Sequence, residues 1–451
     1  MVKTHVEESL GANPGDAALN PADSVAMGIP SQRSPSGVRP PRAGMFRAFR
    51  HGAFRLLFTA FLVNQTGFWV SHISLQSLMV ELTDNDTSQN GLLFFVMFLP
   101  AFILAPIAGV AADRFDRKRI VLTCYAGVCL TTGALAFFTS QGLMTPERML
   151  VLAFMLGIGF TFSGPASLAI AANTVPDEDL PSAVSLQSAA NNLTRVMGPL
   201  VAAPFLLTGR YELSFLFFLG AGLIAAALTA AMRVKIVVPE EGDEGIWARM
   251  NSGFQHARER HPVLPSLTIV AVLSYFGVSH TVLIPAYAEE VLGDRAWFTW
   301  LVVATGTGAV LGALRVGQSG KDPSLHSAAV GLCIYGLVLG LFGVAPNVPI
   351  ALAMQLLVGF FYFNVMTSLQ TLIQQLVDEA KRGRVMSLFQ VSWAGLVPFG
   401  SLTLGMMAGP LGTATTLVIS AAVCTAYGAG MMWWSSDARS SRVEAAAGEG
   451  R

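Results

Sequence analysis

Residues 91–119 read GLLFFVMFLPAFILAPIAGVAADRFDRKR. The first 22, from Gly91 to Ala112, carry no charge; six of the last seven, from Asp113 to Arg119, are charged. An uncharged run of about 20 residues is long enough to cross the hydrocarbon core of a bilayer as a helix. Lipid offers no hydrogen bonds, so such a run must satisfy its own backbone and therefore be helical. The abrupt charged stop then marks a membrane face.

The same pattern recurs in both directions along the chain. Spans are predicted at 54–80, 90–112, 120–140, 147–173, 182–207, 213–232, 265–288, 297–316, 325–344, 349–375, 385–409 and 412–434. None shows the apolar/polar alternation of membrane strands. Composition agrees: 53% of the 451 residues are hydrophobic and 12% are charged, against roughly 25% charged in a soluble domain. The 44 glycines suit helices that pack closely in lipid. The expected fold is all-α, with twelve transmembrane helices.

Loop charges orient the spans, because Lys and Arg accumulate on the cytoplasmic side. With the N-terminus inside, the inner segments hold 24 Lys and Arg and the outer loops hold three: Arg148, Arg210 and Arg295. Both termini are therefore expected in the cytoplasm. Residues 1–45 are rich in Pro, Gly, Ser and Ala, and read as a disordered tail rather than a cleaved signal. Residues 435–451 read as a second tail. Residues 233–264 form the longest inner loop, dividing six spans (46–232) from six (265–434). Within it Trp247, Met250, Phe254 and Ala257 recur at helical spacing, with Arg249, Arg258 and Glu259 elsewhere on the helix, as in a helix lying on the inner membrane surface.

The halves repeat. Gly67, Val70-Ser71-His72 and Glu81 match Gly277, Val278-Ser279-His280 and Glu289. Asp177-Glu178 and Val184-Ser185-Leu186-Gln187 find counterparts in Asp378-Glu379 and Val385-Met386-Ser387-Leu388-Phe389-Gln390. A duplicated six-span unit predicts two pseudo-symmetric six-helix bundles that rock about a site near the bilayer midplane. That favours a transporter over a receptor or scaffold, and over a membrane enzyme, for which no nucleophile–base pair is visible.

The run Gly109-Val110-Ala111-Ala112-Asp113-Arg114-Phe115-Asp116-Arg117-Lys118-Arg119 resembles the loop signature of the major facilitator superfamily, G-x-x-x-D-R-x-G-R-[RK]-[RK]. Gly109, Asp113, Arg114, Arg117, Lys118 and Arg119 match; Asp116 replaces the usual Gly, which predicts an altered turn. The resemblance implies a cytoplasmic latch favouring the outward-open state. Gly109 would allow close helix approach, and Asp113 would pair with a cation or a helix N-terminus. Arg195-Val196-Met197-Gly198-Pro199 is similar to the exporter-type motif of span 5 in the superfamily's antiporters, though Ala202, Ala203 and Pro204 stand where its later glycines would be. The chain as a whole resembles the bacterial drug-efflux and siderophore-export branch. The resemblance implies export, and alternatively uptake on the same fold.

Ionisable groups inside spans are functional candidates by default. Arg195 lies near the middle of span 5. His72 and His280, with Glu81 and Glu289 at the outer ends of their spans, are candidates for proton coupling or an outer gate. Asn64, Gln65, Gln187, Asn191, Asn192, Asn364, Gln390 and Trp393 are candidates to line the cavity, with Trp69 and Phe363 as further apolar walls. Cys124, Cys129, Cys333 and Cys424 have no metal-ligand spacing, and no phosphate-binding loop is present. No metal or cofactor is expected, so the energy source should be a proton gradient. The expected partners are a small hydrophobic or amphipathic substrate and the lipid bilayer, with no nucleic acid. The chain is expected to work as a monomer in the bacterial inner membrane.

Overall fold

The computed structural model describes residues 46–233, 254–318 and 323–448. Twelve helical segments long enough to span occur among them. They are α1 (Gly52–Leu82), α2 (Thr87–Arg114), α3 (Arg117–Ser140), α4 (Pro146–Ala172), α5 (Leu180–Leu207) and α6 (Tyr211–Ala231), then α7 (Val263–Glu290), α8 (Trp297–Gln318), α9 (Leu325–Gly343), α10 (Val348–Leu376), α11 (residues 379–411) and α12 (Thr413–Gly448). The expected spans match these within a few residues. The last apolar span closes at Ser436, near the expected 434, and α12 runs on as helix to Gly448. The reason is local: residues 435–447 contain neither Gly nor Pro, and Ala-rich sequence favours helix. The tail at 1–45 and the loop residues Trp247, Arg249 and Met250 lie outside the described residues, although helix is present again from 254 to 259.

The repeat is visible as packing. α2 lies on α4 as α8 lies on α10; α3 lies on α6 and α4 as α9 lies on α12 and α10. Each half is thus a bundle whose helices meet the same neighbours. Loops are short and capped by their own sequence: Asp86, Thr145, Ser324 and Asn347 side chains accept backbone N–H groups at the starts of α2, α4, α9 and α10. α7 and α11 are less regular. Each contains a wide, π-type turn, at Leu273–Gly277 and Val391–Gly395. The two helices are cross-linked nearby: the Ser279 hydroxyl donates to the Val397 carbonyl at 3.1 Å, and the Tyr275 and Thr403 hydroxyls are 2.7 Å apart.

The end of the molecule that carries Arg114–Arg119 is called the basic end below, and the opposite end the far end. The bundles are packed together toward the far end. There α2 crosses α11 so closely that Gly91 lies against the Ser401 carbonyl and Gly405 against that of Thr87. Any side chain at either glycine would force the helices apart. The Asn90 amide donates to the Val282 carbonyl at 2.7 Å, and the Thr87 hydroxyl to that of Gly405 at 2.9 Å. Both of these cross-bundle hydrogen bonds lie toward the far end. Ile107 of α2, Val184 of α5, Leu314 of α8 and Val391 of α11 are exposed in the basic half.

Candidate functional site

Nine segments among the described residues are long and apolar enough to cross a membrane by composition, and α1 is not among them. Its polar groups Gln65 and His72 are nevertheless buried, so they face protein and not lipid. On α5, Gln187, Asn191 and Arg195 recur every fourth residue and share one face. That face meets α1: the Gln65 amide donates to Asn191 Oδ1 at 3.4 Å, and the Arg195 guanidinium lies 5.4 Å from the Trp69 ring centre. Gly198, one turn beyond Arg195, abuts the Trp69 Cβ and backbone. A side chain there would collide with Trp69, so this glycine sets the depth at which the indole sits. α5 tolerates Pro199 and Pro204 in its interior.

The other bundle completes the site. Arg195 is 5.4 Å from the Phe363 ring centre on α10 and 5.2 Å from that of Trp393, which sits in the wide turn of α11. The Trp393 indole N–H donates to the Tyr362 hydroxyl at 2.8 Å, and that hydroxyl also lies beside the guanidinium. Trp69, Arg195 and Phe363 are each near the middle of their helices, which puts the group at mid-membrane depth. Among the described residues no carboxylate reaches ion-pair distance of Arg195. Its Nε and the Trp69 Nε1 are buried with no hydrogen-bond partner. Asn64, Gln187 and Asn364 are partly buried on the same three helices and Gln390 is exposed; the Asn64 Oδ1 is buried and unpartnered. The Asn192 side chain lies outside the described residues.

The repeat-related histidines part ways. His280 is deep in the second bundle, with Nδ1 against the Gly277 carbonyl and Nε2 3.1 Å from the Gln355 amide nitrogen. A ring protonated on Nδ1 alone satisfies both contacts, donating to one and accepting from the other. His280 therefore does not reach the central group. His72 instead sits in an aromatic box, stacked on Phe68 at 5.6 Å and edge-on to Trp69, Phe94 and Phe98. No hydrogen bond holds its ring among the described residues.

At the far end, Glu81 and Glu289 are brought together by Arg295, a residue that sequence reasoning only counted. Arg295 Nη1 is 3.2 Å from Glu81 Oε2 across the bundle boundary, and its Nε donates to Glu289 Oε2 at 2.8 Å. The Tyr211 hydroxyl donates to the same Glu81 oxygen at 2.7 Å. The matched Glu positions in the repeat were the signal; a cation between them offsets the repulsion of two carboxylates set side by side.

The Arg117 and Lys118 side chains of the α2–α3 loop bond within their own bundle. Arg117 Nε donates to the Ala112 carbonyl at 3.1 Å, and Lys118 Nζ to the Ala230 and Met232 carbonyls at 2.7 and 2.8 Å. These cations cap the C-termini of α2 and α6. Arg114 and Arg119 point into solvent. Asp116 is the N-cap of α3, accepting from the Lys118 and Arg119 amides with a negative φ; the expected Gly is not needed because no left-handed turn is made. Close helix approach at Gly109 is not found: a Cβ there would meet open space. The Asp113 side chain lies outside the described residues.

Sequence reasoning missed a further pair of clusters at the basic end. Arg47 and His51 hold Asp179, at 3.0 and 2.8 Å, tying the start of α1 to the start of α5. Arg260 and His256 hold Asp378, at 2.9 and 3.5 Å, tying the start of α7 to that of α11. The repeat matched Asp177-Glu178 with Asp378-Glu379, which marked Asp378 but not Asp179, and the basic residues that hold these acids are not at a matching offset.

Two helical bundles, repeated in parallel and sharing one polar group at mid-depth, define a membrane transport protein. A family model described as Major Facilitator Superfamily matches residues 57–401, and the chain belongs to that superfamily. It is 24% identical over 364 residues to a staphyloferrin A transporter of Staphylococcus aureus, covering 78% of this chain and 89% of that protein. It is 25% identical over 390 residues to an enterobactin exporter of Shigella boydii, covering 82% and 88%. The fold is similar to that of a nucleoside transporter (TM-score 0.69, 12% identity, 84% of this chain and 99% of that one). It is also similar to an inward-facing bacterial homologue of the lysosomal transporter Spinster (TM-score 0.64, 16% identity, 87% and 97%).

Proposed function

We propose that this protein is a secondary active transporter that exports siderophore-like small molecules across the bacterial plasma membrane by alternating access, in exchange for protons. The observation that carries the reading is the group around Arg195. It is built by both bundles at mid-depth, under a far end where α2 and α11 are bonded together and above a basic half where Ile107, Val184, Leu314 and Val391 are exposed. A site with that geometry changes its exposure whenever the bundles rock. The positive-inside rule puts the basic end in the cytoplasm, with both termini on that side, so the conformation described is inward-open and ready to load cargo from within.

The remaining parts fit this cycle. In the inward-open state the α2–α3 loop should be disengaged from the second bundle, as its contacts to α2 and α6 suggest, and should latch in the outward-open state. Arg295 with Glu81 and Glu289 would be the outer gate. His72, unbonded in its aromatic box beside the site, is the better placed candidate for the coupled proton; His280 is held by structure. The names of the two relatives support siderophore-like cargo, and Gly198-Pro199 supports export.

Transport into inverted membrane vesicles tests the reading. Accumulation of a siderophore-type substrate that collapses when the proton gradient is dissipated is the expected result; accumulation indifferent to the gradient would remove proton exchange. Uptake on the same fold predicts higher, not lower, whole-cell accumulation on expression. A receptor or scaffold predicts no flux at all.

A further inference from the structure

We propose that the cargo is recognised as an anion bearing a flat conjugated ring, with Arg195 as its counter-ion and Trp69, Phe363 and Trp393 as its walls. This rests on the central group being the transport site. The group is unusual in what it lacks. A guanidinium is a cation at any ordinary pH and carries five N–H donors. Placing one at mid-membrane depth costs several kcal/mol unless a negative group compensates. Among the described residues no carboxylate does so. Glu81, Glu289 and Glu290, the acids on α1 and α7, are at the far end, where Arg295 and the Thr413 hydroxyl occupy them.

What surrounds Arg195 is three aromatic faces at 5.2 to 5.4 Å and, beside them, the neutral Tyr362 hydroxyl. Such faces attract a cation, but they take up none of the guanidinium's directional donors as a carboxylate would. The Arg195 Nε stays unpartnered, and so does the nearby Trp69 Nε1. Two buried donors without acceptors, one of them charged, thus lie on neighbouring side chains of the site. A carboxylate, a phenolate or a vicinal pair of such oxygens on the cargo would satisfy both and neutralise the cation. The aromatic walls then do the second job: a conjugated ring attached to that anion can stack against Trp69 or Trp393, while an aliphatic one gains only area.

The site also excludes the opposite charge. A cationic amphiphile, the usual load of a broad drug exporter, would meet Arg195 with no acid to offset the repulsion. The positive charge thus separates anionic metabolite export from cationic drug efflux on the same fold, which apolar walls alone cannot do.

Ligand-observed NMR on the full chain in nanodiscs, with empty nanodiscs as control, tests this directly. The probes are 2-naphthoate, its neutral isostere 2-naphthamide, 2-naphthylmethylammonium, and cyclohexanecarboxylate. One charge-assisted hydrogen bond is worth about 10- to 100-fold in affinity. Naphthoate should therefore bind at least about 10-fold more tightly than the amide, with the ammonium weakest, and more tightly than the non-aromatic carboxylate. Arg195→Gln should erase the preference for naphthoate over the amide. Arg195→Lys, which keeps the charge, should retain part of it and guards against mere misfolding. Trp393→Leu should lower naphthoate binding more than that of cyclohexanecarboxylate.

Amide or ammonium binding as tight as naphthoate in the native protein overturns the anion assignment and leaves the transport reading, which stands on vesicle flux, intact. An anion preference that survives Arg195→Gln overturns the role of this residue. Failure of every probe to bind while siderophore flux persists overturns the site. Anion selectivity at Arg195 in a protein that moves nothing supports the inference and overturns the transport reading.

Discussion

His72 and His280 occupy matching places in the repeat and differ in everything that governs a proton. His280 has a partner at each ring nitrogen; His72 has aromatic edges and faces only. Replacing His280 by Ala strands the Gln355 amide and the Gly277 carbonyl, and should cost about 1–3 kcal/mol of stability, read as a lower midpoint of thermal unfolding. The pH dependence of flux should be unchanged. His72→Phe fills the same box with a ring of similar size, so stability should hold while the pH profile of flux flattens. Equal flattening by His280→Gln would remove this distinction. A single sequence placed both residues correctly along their spans, because duplication preserves position. It could not tell them apart, because surroundings come from other helices. The same limit explains why Asn191, Gln65 and Arg195 were legible as a polar set while Tyr362, one residue before Phe363, was not: a Tyr in an apolar span is ordinary until its hydroxyl is seen beside a cation.

Elements were easier to read than their attachments. Span limits follow from uncharged length, and caps such as Asp116 follow from side chains that accept backbone amides. The irregular turn that presents Trp393 gave no signal, since a π-type turn depends on how α11 meets α7 and not on local composition. The basic-end ties were hidden for the same reason. They now make a prediction. The hydrogen bond from His51, with the charges of Arg47, His51 and Arg50, outweighs burial and holds the Asp179 carboxyl below the ordinary carboxylate range. A carboxyl depressed in the folded state adds stability above its unfolded value, near 3.9, and loses it as pH falls toward the folded value. The tie between α1 and α5 should therefore be constant from neutral pH down to about pH 4 and fail below it. Thermal unfolding in nanodiscs between pH 3 and 7 should show that acid step in the native chain and a smaller one in Asp179→Asn. A step of equal size in both would show that other carboxyls govern it.

At the scale of the whole molecule, the question is what holds the far end shut. Two kinds of contact compete for the answer. Arg295 bridges Glu81 and Glu289 across the bundles, but its side chain is 27% exposed and the two carboxylates 49% and 36%. Pairs so open to water are worth about 0–1 kcal/mol each, a factor of up to about five in population. The α2–α11 crossing is different in kind, because Gly91 and Gly405 put backbone on backbone and Thr87 and Asn90 hydrogen-bond across it. A larger residue at Gly405 cannot be accommodated without separating the helices, so its effect on the closed far end is steric and close to complete. The two contributions separate in one experiment. Spin labels at Ile107→Cys and Val391→Cys, exposed on α2 and α11 in the basic half, report the basic-end opening in a background with Cys124, Cys129, Cys333 and Cys424 replaced by Ala or Ser. Arg295→Ala should move the label distances only partly toward a shorter population, by less than about fivefold in the ratio of states. Gly405→Leu should convert the distribution to the short distance. If Arg295→Ala alone closes the basic end, the ionic bridge and not the helix crossing is the gate, and the far-end carboxylates regain their claim to the coupled proton.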